Sequence, residues 1–375
     1  MNIEADINAI CETRFNEVTG LVETMNNPKE GFKPMDDRQL KSILRELKNN
    51  GHKTSIQAVK NILYSDFSPR YNPFDDYFLN LPKWDKKDHI KQLTDLVDVE
   101  NKKHWPDWFK KWLVAMVASA IDPETVNHQV LVLAGKQGVG KTTWVEYLIP
   151  KELKNYLYSG NIQPGNKDSL IHSSECIMIN MDELATLGNN HIEGLKQIIT
   201  QKTIRVRRPY GTTPENLPRR ASFCGTTNED QFLSDISGNR RFLCFSIQDI
   251  DLDKLKSVDI NQLYAQVMEL YCGDFKYWFE KKDIHAIEKN NEQYLRRTME
   301  QDIIEEYFKP GSKVSFDHKW SATQVMEYLA TEKKLYKSPS TAISVGRALT
   351  KLKYTKLKTG GAFKYYIKLK NRSKS

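Results

Sequence analysis

The stretch that most constrains the fold of this chain is residues 131–148, LVLAGKQGVGKTTWVEYL. Its centre, residues 135–142, fills every fixed place of the pattern G-x-x-x-x-G-K-[ST], which describes a phosphate-binding loop. The aliphatic run at 130–133 suits a buried strand, and residues 142–148 suit the start of a helix. Three glycines let successive backbone N–H groups turn toward one point, to which the helix N-terminus adds partial positive charge. The sequence therefore predicts a strand, a loop and a helix that together hold a polyphosphate.

Each residue type in this loop has a chemical role toward a nucleotide. Lys141 would reach the β- and γ-phosphates, and the Thr142 hydroxyl would help to hold Mg²⁺. The expected ligands are therefore ATP and Mg²⁺, and the alternative is a glycine-rich turn before an ordinary helix. The predicted nucleotide-binding residues are Gly135, Gln137, Gly138, Val139, Gly140, Lys141, Thr142 and Thr143.

Acidic residues follow a second predicted strand about forty residues downstream. The segment ECIMINMDEL predicts a buried strand at 176–181 that ends in Asp182 and Glu183. Asp182 suits the Mg²⁺ shell, and Glu183 can orient and deprotonate the attacking water. The alternative is an exposed strand end with two solvated acids. Together with the loop, this strand predicts an ATP-hydrolysing site.

Two further strands add polar groups to the predicted site. The strand at 221–224 is followed by Asn228, whose amide could hold the same water or the γ-phosphate. Arg240 and Arg241 precede an apolar strand at 242–247. One of them is predicted to reach the γ-phosphate of a neighbouring subunit as an arginine finger, with plain surface charge as the alternative.

Composition limits the class of protein. No run approaches the roughly 18 apolar residues of a membrane span, and the N-terminus lacks the layout of a signal peptide, so we expect a soluble protein of the cytoplasm. The five cysteines form no C-x-x-C pair, which argues against a zinc site or a disulfide framework. The net charge of +8 is unevenly distributed along the chain, because no Asp or Glu follows Glu332.

The motifs occur in an order that resembles a known family. The loop, MDE at 181–183, a basic segment, GTTN at 225–228 and GNRRF at 238–242 resemble the virulence-associated protein E family, which belongs with the superfamily 3 helicases of the AAA+ class. The likeness covers about residues 72–247. It implies a ring-forming, homo-hexameric, ATP-driven DNA helicase that replicates a phage or another mobile element in a bacterial host cell. Many relatives carry a primase domain ahead of the helicase, so we expect priming here from a separate protein.

A basic segment between the two catalytic strands suggests how DNA is held. Alternation puts Arg205 and Arg207 on one face of a strand, a spacing that could follow a phosphate backbone. In the resembled family this region is the hairpin that lines the central pore and grips single-stranded DNA. A solvated charged loop is the alternative. The predicted contacts to DNA here are Lys196, Lys202, Arg205, Arg207, Arg208 and Tyr210.

The basic C-terminal segment predicts a second DNA-binding element. Residues 321–331 and 338–352 predict helices, and residues 354–358 and 362–370 predict the strands of a hairpin. Two helices and a basic hairpin are the order of a winged helix, in which Arg347, Lys351 and Lys364 would contact duplex DNA. The alternative is a small basic domain that only packs on the ATPase.

The whole sequence predicts an α/β fold with an AAA+ type P-loop NTPase core. Three domains are expected: a helical segment at 1–95, which could form an oligomerisation collar, the ATPase at 96–290, and the winged-helix-like domain at 291–375. The predicted function is an ATP-dependent DNA helicase. The alternatives are a replication initiator that uses ATP only to assemble, and, more distantly, a P-loop kinase for a small molecule.

Overall fold

The chain divides into a larger unit, Met1–Tyr294, and a smaller unit, Leu295–Ser375. A computed structural model describes residues 2–184, 189–209, 211, 213–233, 238–331, 341–359 and 361–370, without the side chains of 189–191. Within these ranges, no helix combines the length and the apolar character that a membrane crossing requires.

A small mixed sheet forms the beginning of the larger unit. Its elements are α1 (Ile3–Ile10), β1 (Glu12–Asn16), β2 (Leu21–Met25), β3 (Lys33–Pro34), α2 (Asp37–Asn49), α3 (Ile56–Leu63) and β4 (Arg70–Tyr71), with the strand order β3-β2-β1-β4. The segment at 1–95 contains the predicted helices, and the structure adds this small sheet, which the sequence analysis did not predict. The hairpin of β1 and β2 escaped notice because β1 buries Thr13 and Asn16, which are polar and leave no apolar alternation in the sequence.

A six-stranded sheet is the centre of the larger unit. The next elements are α4 (Pro73–Leu79), α5 (His89–Asp95), β5 (Val97–Val99), α6 (Trp105–Ile121), β6 (Val130–Ala134), α7 (Lys141–Tyr147), β7 (Leu157–Ser159), α8 (Lys167–Glu175), β8 (Met178–Met181), α9 (Asn189–Thr200), β9 (Thr203–Val206), β10 (Glu215–Pro218), β11 (Ser222–Thr227) and β12 (Phe242–Ile250). The order is β5-β12-β6-β11-β8-β7, and β5 alone in this order is antiparallel to its neighbour. All residues of β6, β8 and β11 are buried, as in parallel strands that are covered on both faces. The α/β prediction is confirmed.

Aromatic packing holds the loop helix against the sheet. Trp144 of α7 is fully buried, and its ring centroid lies 5.2 Å from that of Phe109 and 5.7 Å from that of Trp105, both on α6. Large rings that pack at these distances contribute strongly to a core. Three helices complete this unit: α10 (Leu252–Leu255), α11 (Ile260–Cys272) and α12 (Lys281–Asn291).

The strands β9 and β10 form an antiparallel hairpin outside the central sheet. Ile204 and Val206 of β9 are buried in a small apolar cluster with Ile171 of α8. The alternate residues Arg205 and Arg207 are exposed. The predicted alternation is therefore present, with the arginines on the outer face.

In its described residues, the smaller unit combines three helices with a sheet. Its elements are α13 (Met299–Tyr307), β13 (Phe308–Pro310), β14 (His318–Ser321), α14 (Ala322–Thr331), α15 (Ala342–Lys351), β15 (Lys356–Thr359) and β16 (Ala362–Leu369). β16 pairs antiparallel with each of the other three strands. The helices α14 and α15 and the hairpin of β15 and β16 occur in the predicted order and close to the predicted residues.

Candidate functional site

The glycine-rich loop connects β6 to α7 and needs its glycines for close packing. Gly135 has φ of +156°, and a Cβ there would lie 2.3 Å from the Ile247 carbonyl oxygen. Gly140 has φ of +89°, and a Cβ there would lie 2.7 Å from the Leu252 side chain. A side chain at either position would therefore force backbone or core to move. Gln137 and Thr143 are exposed, whereas Val139 and Thr142 are half-buried.

Lys141 is held over the loop by three oxygen atoms. Its Nζ donates to the carbonyl oxygens of Gly135 at 2.7 Å and Lys136 at 2.8 Å, and to Oδ1 of Asn228 at 3.0 Å. Burial lowers the pKa of the Lys141 ammonium, and the charge of Asp182 opposes this shift. All three acceptors are neutral oxygens, so none of these hydrogen bonds pairs the Lys141 ammonium with a carboxylate. That arrangement suits an incoming anion.

The two predicted acids follow β8 at the same edge of the sheet. The Asp182 carboxylate accepts a hydrogen bond from the Thr226 hydroxyl, which orients it. Both acids are exposed, and Glu183 has φ of +54°, a conformation that costs a non-glycine residue about 1–3 kcal/mol. Strain of this kind is common at functional sites.

Strand register explains why these groups meet. Ala134 of β6 pairs with Thr227 of β11, and Gly225 of β11 pairs with Met181 of β8. The loop, Asn228 and Asp182 each follow one of these parallel strands, so they leave the sheet at its carboxyl edge. This edge thus collects the predicted ATP-site residues.

A Mg²⁺ ion at this site would need only a few ligands from the protein. Among the described residues, no group of three or more His, Cys, Asp or Glu side chains is placed to bind a metal. Mg²⁺ bound with a nucleotide characteristically takes one or two protein oxygens and completes its shell with phosphates and waters. The Thr142 hydroxyl and the exposed, oriented carboxylate of Asp182 fit that pattern.

Arg240 and Arg241 lie at the opposite edge. They belong to a 3-10 helix, Asn239–Arg241, directly before β12, and Phe242 pairs with Val130 at the amino end of β6. The five residues of β6 separate this edge from the loop by about 16 Å at the usual strand rise. Neither arginine is therefore close to the loop of its own chain. Both line a cavity of about 280 Å³ beside Gln129 and Trp278.

Two of the predicted DNA contacts are wrong, because their side chains are buried. Lys196 is 7% exposed and pairs with Glu193 at 2.7 Å. Arg208 is 8% exposed, pairs with Glu175 and donates to the Val18 carbonyl oxygen at 2.8 Å. The partners of Arg208 could not be recognised from sequence, since Glu175 and Val18 lie 33 and 190 residues away from it.

The other predicted DNA contacts of the larger unit differ in their surroundings. Arg205 and Arg207 are exposed on the hairpin of β9 and β10. Lys202 is also exposed and forms an ion pair with Glu124. Tyr210 lies outside the described residues.

The three predicted residues of the smaller unit do not share one surface. Arg347 is exposed on α15. Lys351 is half-buried and donates to the Arg296 carbonyl oxygen at 3.2 Å, a backbone contact that would compete with the predicted contact to duplex DNA. Lys364 lies on β16, on the face of the sheet opposite the buried Tyr365.

Thr226 is the site residue that sequence reasoning missed. It lies within the GTTN segment, two residues before Asn228, and its hydroxyl orients Asp182. The available signal was the alternation along β11, which puts residues 226 and 228 on the same side of the sheet.

Comparisons with known proteins agree with this fold. The sequence model of a family described as virulence-associated protein E-like domain matches residues 79–296, more than half of the chain. A Lon protease of Malacoplasma penetrans (strain HF-2) is 24% identical over 125 residues, which is 31% of this chain and 16% of that protein. An apo structure of the NrS-1 C-terminal region matches with a TM-score of 0.53 and 14% identity, over 97% of each chain. A second, A-form apo structure of that region matches with a TM-score of 0.51 and 15% identity, over 98% of each chain.

Proposed function

The chain belongs to the virulence-associated protein E-like family, as its motifs predicted, and we propose that it is an ATP-dependent DNA helicase of a phage or another mobile element. The observation that carries the proposal is the arrangement of one sheet. Lys141, Asp182 and Asn228 lie at its carboxyl edge, and Arg240 and Arg241 lie at its amino edge. Such a sheet can present its ATP site to the subunit on one side and an arginine to the subunit on the other side.

The carboxyl edge is proposed to bind and hydrolyse ATP. The phosphates would replace the three neutral oxygens as partners of the Lys141 ammonium, because a charged partner binds it more strongly. Asn228, released from Lys141, would hold the γ-phosphate or the attacking water by its amide. Glu183 would take the proton of that water. Mg²⁺, held by Thr142 and Asp182, would neutralise charge on the phosphates.

The amino edge is proposed to act on a neighbouring subunit. An arginine that stabilises developing charge on the γ-phosphate must come close to it, and β6 keeps Arg240 and Arg241 away from their own loop. Head-to-tail contacts that join one edge to the other generate a closed ring when the rotation closes. We therefore propose a homo-oligomeric ring of the AAA+ type, with six subunits as the family resemblance implies.

DNA is proposed to bind at two places. Arg205 and Arg207 share the exposed face of the β9–β10 hairpin, where they would contact the phosphates of a single strand in the ring. The smaller unit, with the element order of a winged helix, would bind duplex DNA through Arg347 on α15. A separate primase would supply primers.

A forked-duplex assay tests the proposal. Strand release that requires hydrolysable ATP is the expected result, and melting with a non-hydrolysable analogue would instead support an initiator that uses ATP only to assemble. DNA-stimulated ATPase activity would argue against a small-molecule kinase. A ring in images of the protein with an ATP analogue and forked DNA is expected, and separate monomers under those conditions would contradict the proposal.

The hairpin can be tested by salt dependence. Arg205→Ala/Arg207→Ala should lose DNA-stimulated ATPase and should flatten the slope of log affinity for single strands against log salt by at most about 1.4, at about 0.7 per phosphate contact. An unchanged slope together with intact unwinding would indicate that these arginines are only solvated surface charges.

A further inference from the structure

One face of the smaller unit's sheet turns away from its helices. In β16, Tyr365 and Ile367 join the apolar cluster with α13, α14 and α15, so the alternate residues take the other face. Cross-strand partners share that outer face, and Lys309 pairs with Lys368 while Lys319 pairs with Tyr366. We call this surface the lysine face; it consists of Lys309, Lys319, Lys364 and Lys368, with Phe316 and Tyr366.

The groove beside Lys309 and Lys368 is lined by more basic than acidic side chains. Lys309 and Lys368 are directly opposite each other on antiparallel strands, where like charges destabilise the pair. Among the described residues that line the adjoining groove, Asp317 is the one acid, and its Oδ2 already accepts a hydrogen bond from the Leu369 backbone N–H at 2.8 Å. A bound anion would relieve this repulsion. A chain of phosphates could reach several of the lysines at once.

Aromatic rings lie among these lysines. Phe316 is 39% exposed, and its ring centroid is 5.0 Å from that of Tyr366 in an edge contact. Tyr366 is 5% exposed and packs against Phe316. The Lys319 ammonium lies 5.8 Å from the Phe316 ring centroid and 5.3 Å from that of Tyr366. This combination places an exposed ring next to cations.

We propose that the lysine face binds single-stranded nucleic acid, with phosphates on the lysines and a base on Phe316. An exposed ring favours a single strand over a duplex, because unpaired bases can stack on side chains whereas paired bases are stacked within the helix. An acidic peptide would satisfy the lysines but would leave Phe316 without a stacking partner.

This site is distinct from the contacts proposed above. Arg347 is on α15, which packs against the other face of the sheet. Lys364, first predicted to contact duplex DNA, belongs to the lysine face through its position on β16. The inference goes beyond the helicase proposal, since it uses neither the ATP edge nor the hairpin.

Binding of a labelled oligothymidine, followed by fluorescence anisotropy across a salt series, tests the inference. The full chain is used without nucleotide and in the Arg205→Ala/Arg207→Ala background, so that the hairpin does not contribute. Lys309→Gln/Lys368→Gln should flatten the slope of log affinity against log salt by up to about 1.4, the value for two phosphate contacts. Its thermal transition should stay or rise, because a repulsion is removed.

The matched control is Lys356→Gln/Lys358→Gln. These lysines are on β15 opposite Tyr365 and Phe363, and therefore on the other face of the same sheet. The control removes the same charge and should leave the slope unchanged. Phe316→Ala should weaken single-strand binding about 5- to 150-fold, which corresponds to about 1–3 kcal/mol for one stacked base.

Three results would overturn the inference. The first is an equal change of slope in the two double variants, which would indicate only general charge. The second is a loss of affinity for a duplex of the same length, in Lys309→Gln/Lys368→Gln and in Phe316→Ala, that equals the loss for the single strand. The third is competition by polyglutamate at the same charge concentration as the oligonucleotide. Because no ATP is present, failure of the helicase proposal would leave these measurements unaffected.

Discussion

Replacing Arg208 by alanine should destabilise the larger unit, and the loss should depend on pH. The Arg208 side chain is 9% exposed, and its partner Glu175 is 23% exposed. The same guanidinium donates to the Val18 carbonyl oxygen at 2.8 Å, next to the turn between β1 and β2. Removing it leaves a largely buried carboxylate without its cation, a change that costs about 3–5 kcal/mol in other proteins.

The pH dependence follows from the carboxyl group of Glu175. Burial raises the pKa of this group from 4.5 to about 7, and the Arg208 charge opposes the shift. A carboxyl with a raised pKa binds its proton more tightly in the folded chain, so the contribution of Glu175 to the free energy of unfolding is largest below pH 4.5 and is lost as the pH rises through 7. Between these pH values the contribution of Glu175 to the free energy of unfolding changes by roughly 3 kcal/mol. Without Arg208 the pKa rises further, so Arg208→Ala should cost about 3–5 kcal/mol at pH 8 and clearly less at pH 5.

Urea unfolding followed by tryptophan fluorescence at pH 5 and pH 8 measures this difference. Six of the seven tryptophans belong to the larger unit, so the signal reports mainly on it. The neighbouring Arg207→Ala is the control and should change stability by no more than about 0.5 kcal/mol, because Arg207 is exposed. Adding Glu175→Gln to Arg208→Ala should remove the extra loss at pH 8. A cost that is the same at both pH values, or no larger than that of Arg207→Ala, would refute the reasoning.

The remaining predictions concern ATP turnover. Lys141→Ala should lower hydrolysis by about 10²–10³-fold with little change in thermal unfolding, because it removes the charge partner of the phosphates; normal turnover would contradict the site. Glu183→Gln should still bind ATP in a titration but turn it over about 10²–10⁴-fold more slowly, since an amide cannot take the proton, and lost binding would reassign Glu183 to the metal. Arg240→Ala or Arg241→Ala, each mixed with Lys141→Ala, should recover part of the activity if one arginine acts on a neighbouring subunit; no recovery at any ratio would argue against action between subunits.

Local patterns in the sequence were sufficient for the parts of the fold that depend on near neighbours. The strand, loop and helix around Lys141 follow from an aliphatic run, three glycines and a helix start within eighteen residues. The strands before Asp182 and Asn228 follow from short apolar runs. In parallel strands such runs are buried on both faces, so hydrophobicity alone locates them.

The tertiary structure decided which charges are available to a ligand. Arg207 and Arg208 are adjacent in sequence, yet one is exposed and the other is buried against Glu175 and Val18, 33 and 190 residues away. Lys351 and Lys364 likewise belong to different surroundings, because α15 turns one toward Arg296 and β16 turns the other outward. Burial and ion pairing depend on contacts between distant segments, and composition and spacing carry no record of those contacts. The same reason explains β1, whose inward residues are polar and form strand pairs that only the assembled sheet provides.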